Sequence, residues 1–135
     1  MTGQAMTAAE DYVLVVEDDD GLRETLIDFL YEEGYASCSA SSAQEAQAFL
    51  QAAPPPCLVI LDQSLPDMSA EELVRIIRAM PAVAAVPVCV VTGDMRRAPA
   101  DADAVIRKPI DVADLLRVVD THCRGRTGLA SPPPA

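Results

Sequence analysis

Long apolar runs are missing from this chain. Nowhere does it approach the ~18 consecutive apolar residues of a membrane-spanning helix, and Met1 to Glu10 lacks the basic-then-apolar order of a secretory signal. The expectation is a protein that stays in the cytoplasm and makes no use of a membrane. Cationic residues are scarce as well: ten Lys and Arg against 21 Asp and Glu give a formal net charge of −11. That balance repels nucleic acid and anionic lipid and argues against both as partners. Histidine occurs once, as His122 near the C-terminus with no flanking motif, which argues against a histidine-based catalytic triad. Cys38, Cys57, Cys89 and Cys123 form no CxxC pair, and none has a histidine at metal-ligand spacing. They read as small, reduced core residues. No glycine-rich loop follows the first strand candidate, which weighs against a dinucleotide-binding domain.

What is present describes one globular domain: 135 residues, 50% apolar, 4% aromatic and 23% charged. Tyr12 to Val16 is a β-branched apolar run that stops at Glu17-Asp18-Asp19-Asp20, as a buried parallel strand does at its carboxyl end. Leu22, Leu26, Phe29 and Leu30 then recur at helical spacing before Gly34, predicting a helix over roughly residues 20–33. Tyr35 to Ser39 is a weak strand candidate. Ser41 or Ser42 can cap a helix carrying Ala43, Ala46, Phe49 and Leu50 on one face, ended by Pro54-Pro55-Pro56.

The pattern repeats. Cys57 to Leu61 predicts a strand ending at Asp62, followed by a helix with Leu73, Val74, Ile76 and Ile77. Pro87 to Val91 predicts a strand ending at Thr92-Gly93-Asp94, and Ala104 to Ile106 a short one ending at Arg107-Lys108-Pro109. A last helix begins near Asp111 and buries Leu115, Leu116, Val118 and Val119. Alternating strands and helices imply an α/β, doubly wound fold with a parallel sheet covered on both faces. Asp94 to Asp103 holds one large apolar residue, Met95, and predicts a loop or a single irregular turn instead of a full helix. Residues 1–10 are expected to be a flexible N-terminus, 11–123 the folded domain and 124–135, with its three prolines, a disordered tail.

In open α/β sheets, residues that end different strands converge beyond the carboxyl edge. Here those residues are Glu17, Asp18, Asp62, Thr92 and Lys108. Each alone has an ordinary structural reading, since strand-end Asp and Thr often cap the next helix. Together they carry a chemistry. Crowded carboxylates repel one another unless a cation neutralises them, and such hard oxygen donors suit Mg²⁺. With the metal present, a carboxylate can attack a phosphoryl group while a lysine and a threonine hydroxyl meet the charge on its oxygens.

The order and spacing of Val-Val-Glu17-Asp18-Asp19, Leu-Val-Ile-Leu-Asp62-x-x-x-Pro66-Asp67-Met68, Val-Val-Thr92-Gly93 and Lys108-Pro109 resemble the receiver domain of two-component response regulators over about residues 11–123. The resemblance implies a flavodoxin-like sheet with strand order 2-1-3-4-5, which is carried over with it. It implies Asp62 as acceptor of a phosphoryl group from a histidine kinase or histidine phosphotransfer protein. Mg²⁺ would be held by Glu17, Asp18, Asp62 and the Ser64 backbone carbonyl. Thr92 would move toward the phosphoryl group, Lys108 would pair with Asp62, and Pro109 would follow a cis bond that aims Lys108 into the site. Ser64 and Asp94, flanking the phosphoryl position, are expected to tune access of hydrolytic water.

Some positions depart from the pattern. Glu17 stands where receivers more often have Asp, and its extra methylene makes metal contact through water an option. Val105 stands where an aromatic residue usually follows the threonine inward, so a threonine–aromatic switch of the usual kind is not expected. Ala70 replaces a glycine. The short segment between Thr92 and Lys108 resembles a subgroup with Thr-Gly after strand four and a truncated fourth helix. The leading expectation is a stand-alone phosphoacceptor, not an enzyme acting on other molecules, that signals by binding an unidentified downstream protein. The alternatives are a phosphate-independent scaffold of the same fold and a Mg²⁺-dependent phosphohydrolase. Against the hydrolase, the position two after Asp62 is Ser64 instead of an acid, and the chain carries no cap domain to exclude water.

Overall fold

Five strands and four helices alternate along residues 11–125, the part of the chain that this computed structural model describes. The expected flexible segment 1–10 and nearly all of the expected tail lie outside the described residues. Strand β1 (Tyr12–Val16) is followed by α1 (Asp20–Glu32), β2 (Ala36–Ala40), α2 (Ala43–Ala52), β3 (Leu58–Asp62), α3 (Ala70–Ala79), β4 (Val88–Thr92), β5 (Ala104–Arg107) and α4 (Val112–His122). The strands form one parallel sheet in the order β2-β1-β3-β4-β5. The α/β doubly wound architecture is as the alternation of strands and helices implied, and the strand order is the one the receiver resemblance implied.

Every residue of β1, β3 and β4 is buried, as expected for interior strands covered by helices on both faces. Alternation of side chains sorts them into two layers. Leu14, Val16, Val59, Leu61, Val88 and Val90 pack with Ala46 and Leu50 of α2 and with Leu73, Val74 and Ile77 of α3. Val13, Val15, Leu58, Ile60, Cys89 and Val91 pack with Leu26 and Leu30 of α1 and with Leu115 and Val119 of α4. Each helix starts on a side-chain cap: Asp19, Ser42, Ser69 and Asp111 accept from the amides of Leu22, Glu45, Glu72 and Ala113.

The start of β2 differs from the sequence reading for a visible reason. Gly34 adopts φ 91°, a left-handed turn that suits glycine, and the Tyr35 amide donates back to the Leu30 carbonyl at 2.8 Å. That bond removes Tyr35 from the sheet, so β2 begins at Ala36 instead of Tyr35. Between β4 and β5 there is one 3₁₀ turn, Met95–Arg97, capped by Asp94, in line with the single irregular turn expected there in place of a full helix. The reading of the cysteines needs correction: Cys57 and Cys123 are joined in a disulfide, while Cys38 and Cys89 are free thiols. The two partners are 66 residues apart in sequence, and only the packing of α4 on the sheet brings their Cα atoms to 5.4 Å. Among the described residues, no helix is long and apolar enough to cross a membrane.

Candidate functional site

Parallel pairing continues one residue past the strands and aligns their ends. The amides of Glu17, Gln63 and Lys108 donate to the carbonyls of Ala40, Val91 and Thr92 at 3.0, 2.9 and 2.8 Å. This register brings Glu17, Asp18 and Asp62 to one edge, where carboxylate oxygens, one from each, all lie within 4.8 Å of one another. Glu17 and Asp62 are each 4% exposed, whereas Asp18 faces solvent. Lys108 Nζ reaches across from the end of β5 to 2.6 Å from Asp62 Oδ1. The Ser64 amide faces Asp62 Oδ2 at a long 3.3 Å. The Lys108–Pro109 peptide bond is cis.

The electrostatics follow from this crowding. Burial raises the Glu17 carboxyl above its ordinary pKa, and the nearby Asp62 charge adds to the rise, against the Asp19 amide and Lys108. Burial alone would lower the Lys108 ammonium, but Asp62 together with Glu17 and Asp18 outweighs it and holds the group raised. Two carboxylates at such separations repel by about 3–4 kcal/mol at an effective dielectric near 20. One ammonium against three acids leaves excess negative charge at the edge. The donor set fits a divalent cation with hard oxygen ligands, and Mg²⁺ matches it.

Other predicted positions sit nearby without joining the acids. Thr92 is buried, and its hydroxyl is engaged with its own loop: it donates to the Asp94 carbonyl and accepts from the Asp94 amide, both at 3.0 Å. The Asp94 carboxylate turns to Arg96, which holds its pKa down. Val105 is half-buried opposite Val90, two residue pairs below the Thr92–Arg107 pair. Ser64 and Pro109 are exposed.

Two contributors went unnoticed in the sequence. Arg23 donates from Nη1 to the Glu17 carbonyl at 2.9 Å while pairing with Asp20 at 2.6 Å, which fixes the turn that carries Glu17 and Asp18. The available signal was that Arg23 is the one basic residue among ten acids in positions 10–33. Asp67, beyond Asp62 in the same loop, accepts from the amides of Ala43 and Gln44 at 3.0 and 2.9 Å and so pins the N-terminus of α2.

Those two bonds lower the Asp67 pKa below its ordinary 3.8. A carboxylate with a depressed folded pKa stabilises the fold above its unfolded pKa and loses that contribution as pH falls through the folded value. Asp67→Ala is therefore expected to cost about 1 kcal/mol at neutral pH, with the difference from wild type shrinking as pH falls from the ordinary 3.8 through the lower folded value. Urea unfolding of both proteins at neutral and acid pH measures this; a difference that is unchanged in acid would contradict it.

The sequence model of the response regulator receiver domain family matches residues 13–120. This chain belongs to that family. A 14.6 kDa uncharacterized protein from Leptolyngbya boryana is 32% identical over 96% of the receiver chain and 98% of its own length. A response regulator receiver protein from Pseudomonas putida superposes with a TM-score of 0.75 at 32% identity, covering 85% of this receiver and 99% of that chain. The receiver domain of a sensor histidine kinase from Pseudomonas aeruginosa has the same fold, with a TM-score of 0.76 at 21% identity, covering 84% of this chain and 97% of its own. That structure has a magnesium ion coordinated in its active-site cleft.

Proposed function

We propose that this receiver is a stand-alone phosphoacceptor of a two-component phosphorelay. In this reading Asp62 takes a phosphoryl group from a histidine kinase or histidine phosphotransfer protein in the cytoplasm. The observation that carries the reading is the buried Asp62 carboxylate, set 2.6 Å from Lys108 and within 4.8 Å of two further acids. An Asp62 oxygen attacks phosphorus, the bond from phosphorus to the donor imidazole nitrogen breaks, and the electron pair leaves with the imidazole. Lys108 meets the charge on the transferring oxygens. Glu17, Asp18, Asp62 and the Ser64 carbonyl would hold Mg²⁺, which supplies charge neutralisation at the phosphoryl oxygens.

Thr92 must leave its Asp94 partners to bond the phosphoryl group, so signalling is a shift between two arrangements of the loop after β4. With Val105 in place of a ring, that shift is carried by the loop itself and read by a downstream protein. Ser64 and Asp94 are assigned to the hydrolysis rate of the acyl phosphate. The chain turns over no other substrate.

Transfer of labelled phosphate from a phosphorylated histidine phosphotransfer domain tests the acceptor. Wild type is expected to take the label and Asp62→Asn none, with circular dichroism unchanged because the substitution preserves volume. Equal labelling of the variant would overturn the assignment.

A further inference from the structure

Cys57 stands at the entry of β3 and Cys123 directly after the last residue of α4, so their disulfide ties the end of that helix to the strand that carries Asp62 at its other end. Helix α4 thus runs from the loop bearing Lys108 at one edge of the sheet to a covalent tether at the other. The tether is not the helix's sole anchor. Leu115 and Val119 are fully buried, the Tyr35 hydroxyl donates to the Asp120 carboxylate, and the Arg124 amide donates to Asp11 at 2.9 Å. The fold therefore does not depend on the disulfide to keep α4 on the sheet.

The surroundings of Cys57 also suit the reduced form. Its Sγ lies 3.1 Å from the Tyr12 carbonyl oxygen, an acceptor ready for the S–H that reduction creates. Cys57 is partly exposed while Cys123 is 5% exposed, so one sulfur of the pair is open to attack from solvent. The remaining thiols do not compete: Cys89 is fully buried with its pKa pushed up to about 12, and burial raises Cys38 as well. In the cytoplasm, where the proposed function places this chain, glutathione and protein dithiols keep most cysteines reduced, and disulfides that do form there are mostly transient or redox-sensing. This last argument rests on that reading; the geometry does not.

We infer that Cys57–Cys123 is a reversible dithiol–disulfide site that latches the C-terminal turn of α4 to β3 and is opened by a protein or small-molecule dithiol. A thiolate of the reductant attacks Cys57 Sγ, the bond to Cys123 breaks, and Cys123 leaves as a thiolate and takes up a proton. The reductant's second thiol then displaces Cys57. Two electrons and two protons pass to the pair, giving two cysteine thiols here and one disulfide on the reductant. Oxidation by a disulfide such as oxidised glutathione runs the same steps backwards.

The test uses the full chain with oxidised glutathione or dithiothreitol as the redox probe. Alkylation after denaturation is expected to label two of the four cysteines, Cys38 and Cys89, in the oxidised protein and all four in the reduced one. In the native state, reduction is expected to speed amide exchange in Val119–Cys123 at least about tenfold, while Val13–Val16 and Val59–Leu61 keep their protection. Cys57→Ser and Cys123→Ser should each exchange at the fast rate with or without dithiothreitol, so that either variant suffices if the other misfolds. The same response in Asp62→Asn would separate the latch from the phosphoacceptor reading. Four reactive thiols after oxidation, unchanged exchange in α4 on reduction, or loss of protection throughout the sheet would each overturn the latch.

Discussion

Replacing Lys108 with alanine is expected to slow phosphoryl transfer to Asp62 by about 10²–10³-fold, the usual loss when one preorganised partner of a transferring oxyanion is removed. The ammonium sits 2.6 Å from a carboxylate that is only 4% exposed, so the variant also leaves a buried charge without its partner. The Lys108 side chain is itself 37% exposed, which lets solvent screen the pair. The metal-free stability should accordingly fall by about 1–2 kcal/mol, less than for a fully buried pair. With one positive charge gone from beside three acids, Mg²⁺ should bind the variant more tightly and recover most of that loss. Stopped-flow kinetics with a small phosphodonor and urea unfolding with and without Mg²⁺ measure both effects. A transfer rate equal to wild type would remove Lys108 from the reaction.

The second large effect lies away from the acids. Arg78, near the end of α3, donates to the carbonyls of Ala84, Val86 and Asp101 at 3.2, 2.6 and 3.2 Å and pairs with Asp103 at 2.6 Å. The same Asp103 oxygen accepts the Val88 amide at 2.8 Å. One guanidinium therefore fastens both the loop into β4 and the segment into β5, the region where a full helix is lacking. Arg78→Ala should cost about 2–3 kcal/mol, because it strands several acceptors at once. The ion pair itself contributes the smaller share, its groups being 27% and 43% exposed. Asp103→Asn, which keeps an acceptor for Val88, should cost less. An Arg78→Ala protein unfolding at the wild-type urea midpoint would contradict this account.

How much of this was readable from the residues depended on whether the signal was local. Strands β1, β3 and β4 are continuous apolar runs ending in acid or hydroxyl side chains, so both their positions and the residues at their ends could be taken from the sequence. Strand β2, Ala-Ser-Cys-Ser-Ala, has little apolar character, and its start was set by a turn bond from Tyr35 that no periodicity encodes. Glu17, Asp18, Asp62 and Lys108 were legible because each ends a strand. Arg23 and Arg78 were not, since both act on backbone carbonyls positioned by turns and by segments distant in sequence. The disulfide escaped for the same reason: Cys57 and Cys123 meet only after α4 packs on the sheet, and their spacing fits no motif.

Phosphorylation of Asp62 is expected to require Mg²⁺. Intact-mass measurement of the full chain after incubation with acetyl phosphate tests it most directly, with Mg²⁺ in one sample and a chelator in its place in another, followed by peptide mapping. A single added phosphoryl group on Asp62 is expected with Mg²⁺, removable by hydroxylamine as an acyl phosphate is, and none with the chelator. A folded chain that gains no phosphoryl group under either condition, or gains one on a residue other than Asp62, would contradict it.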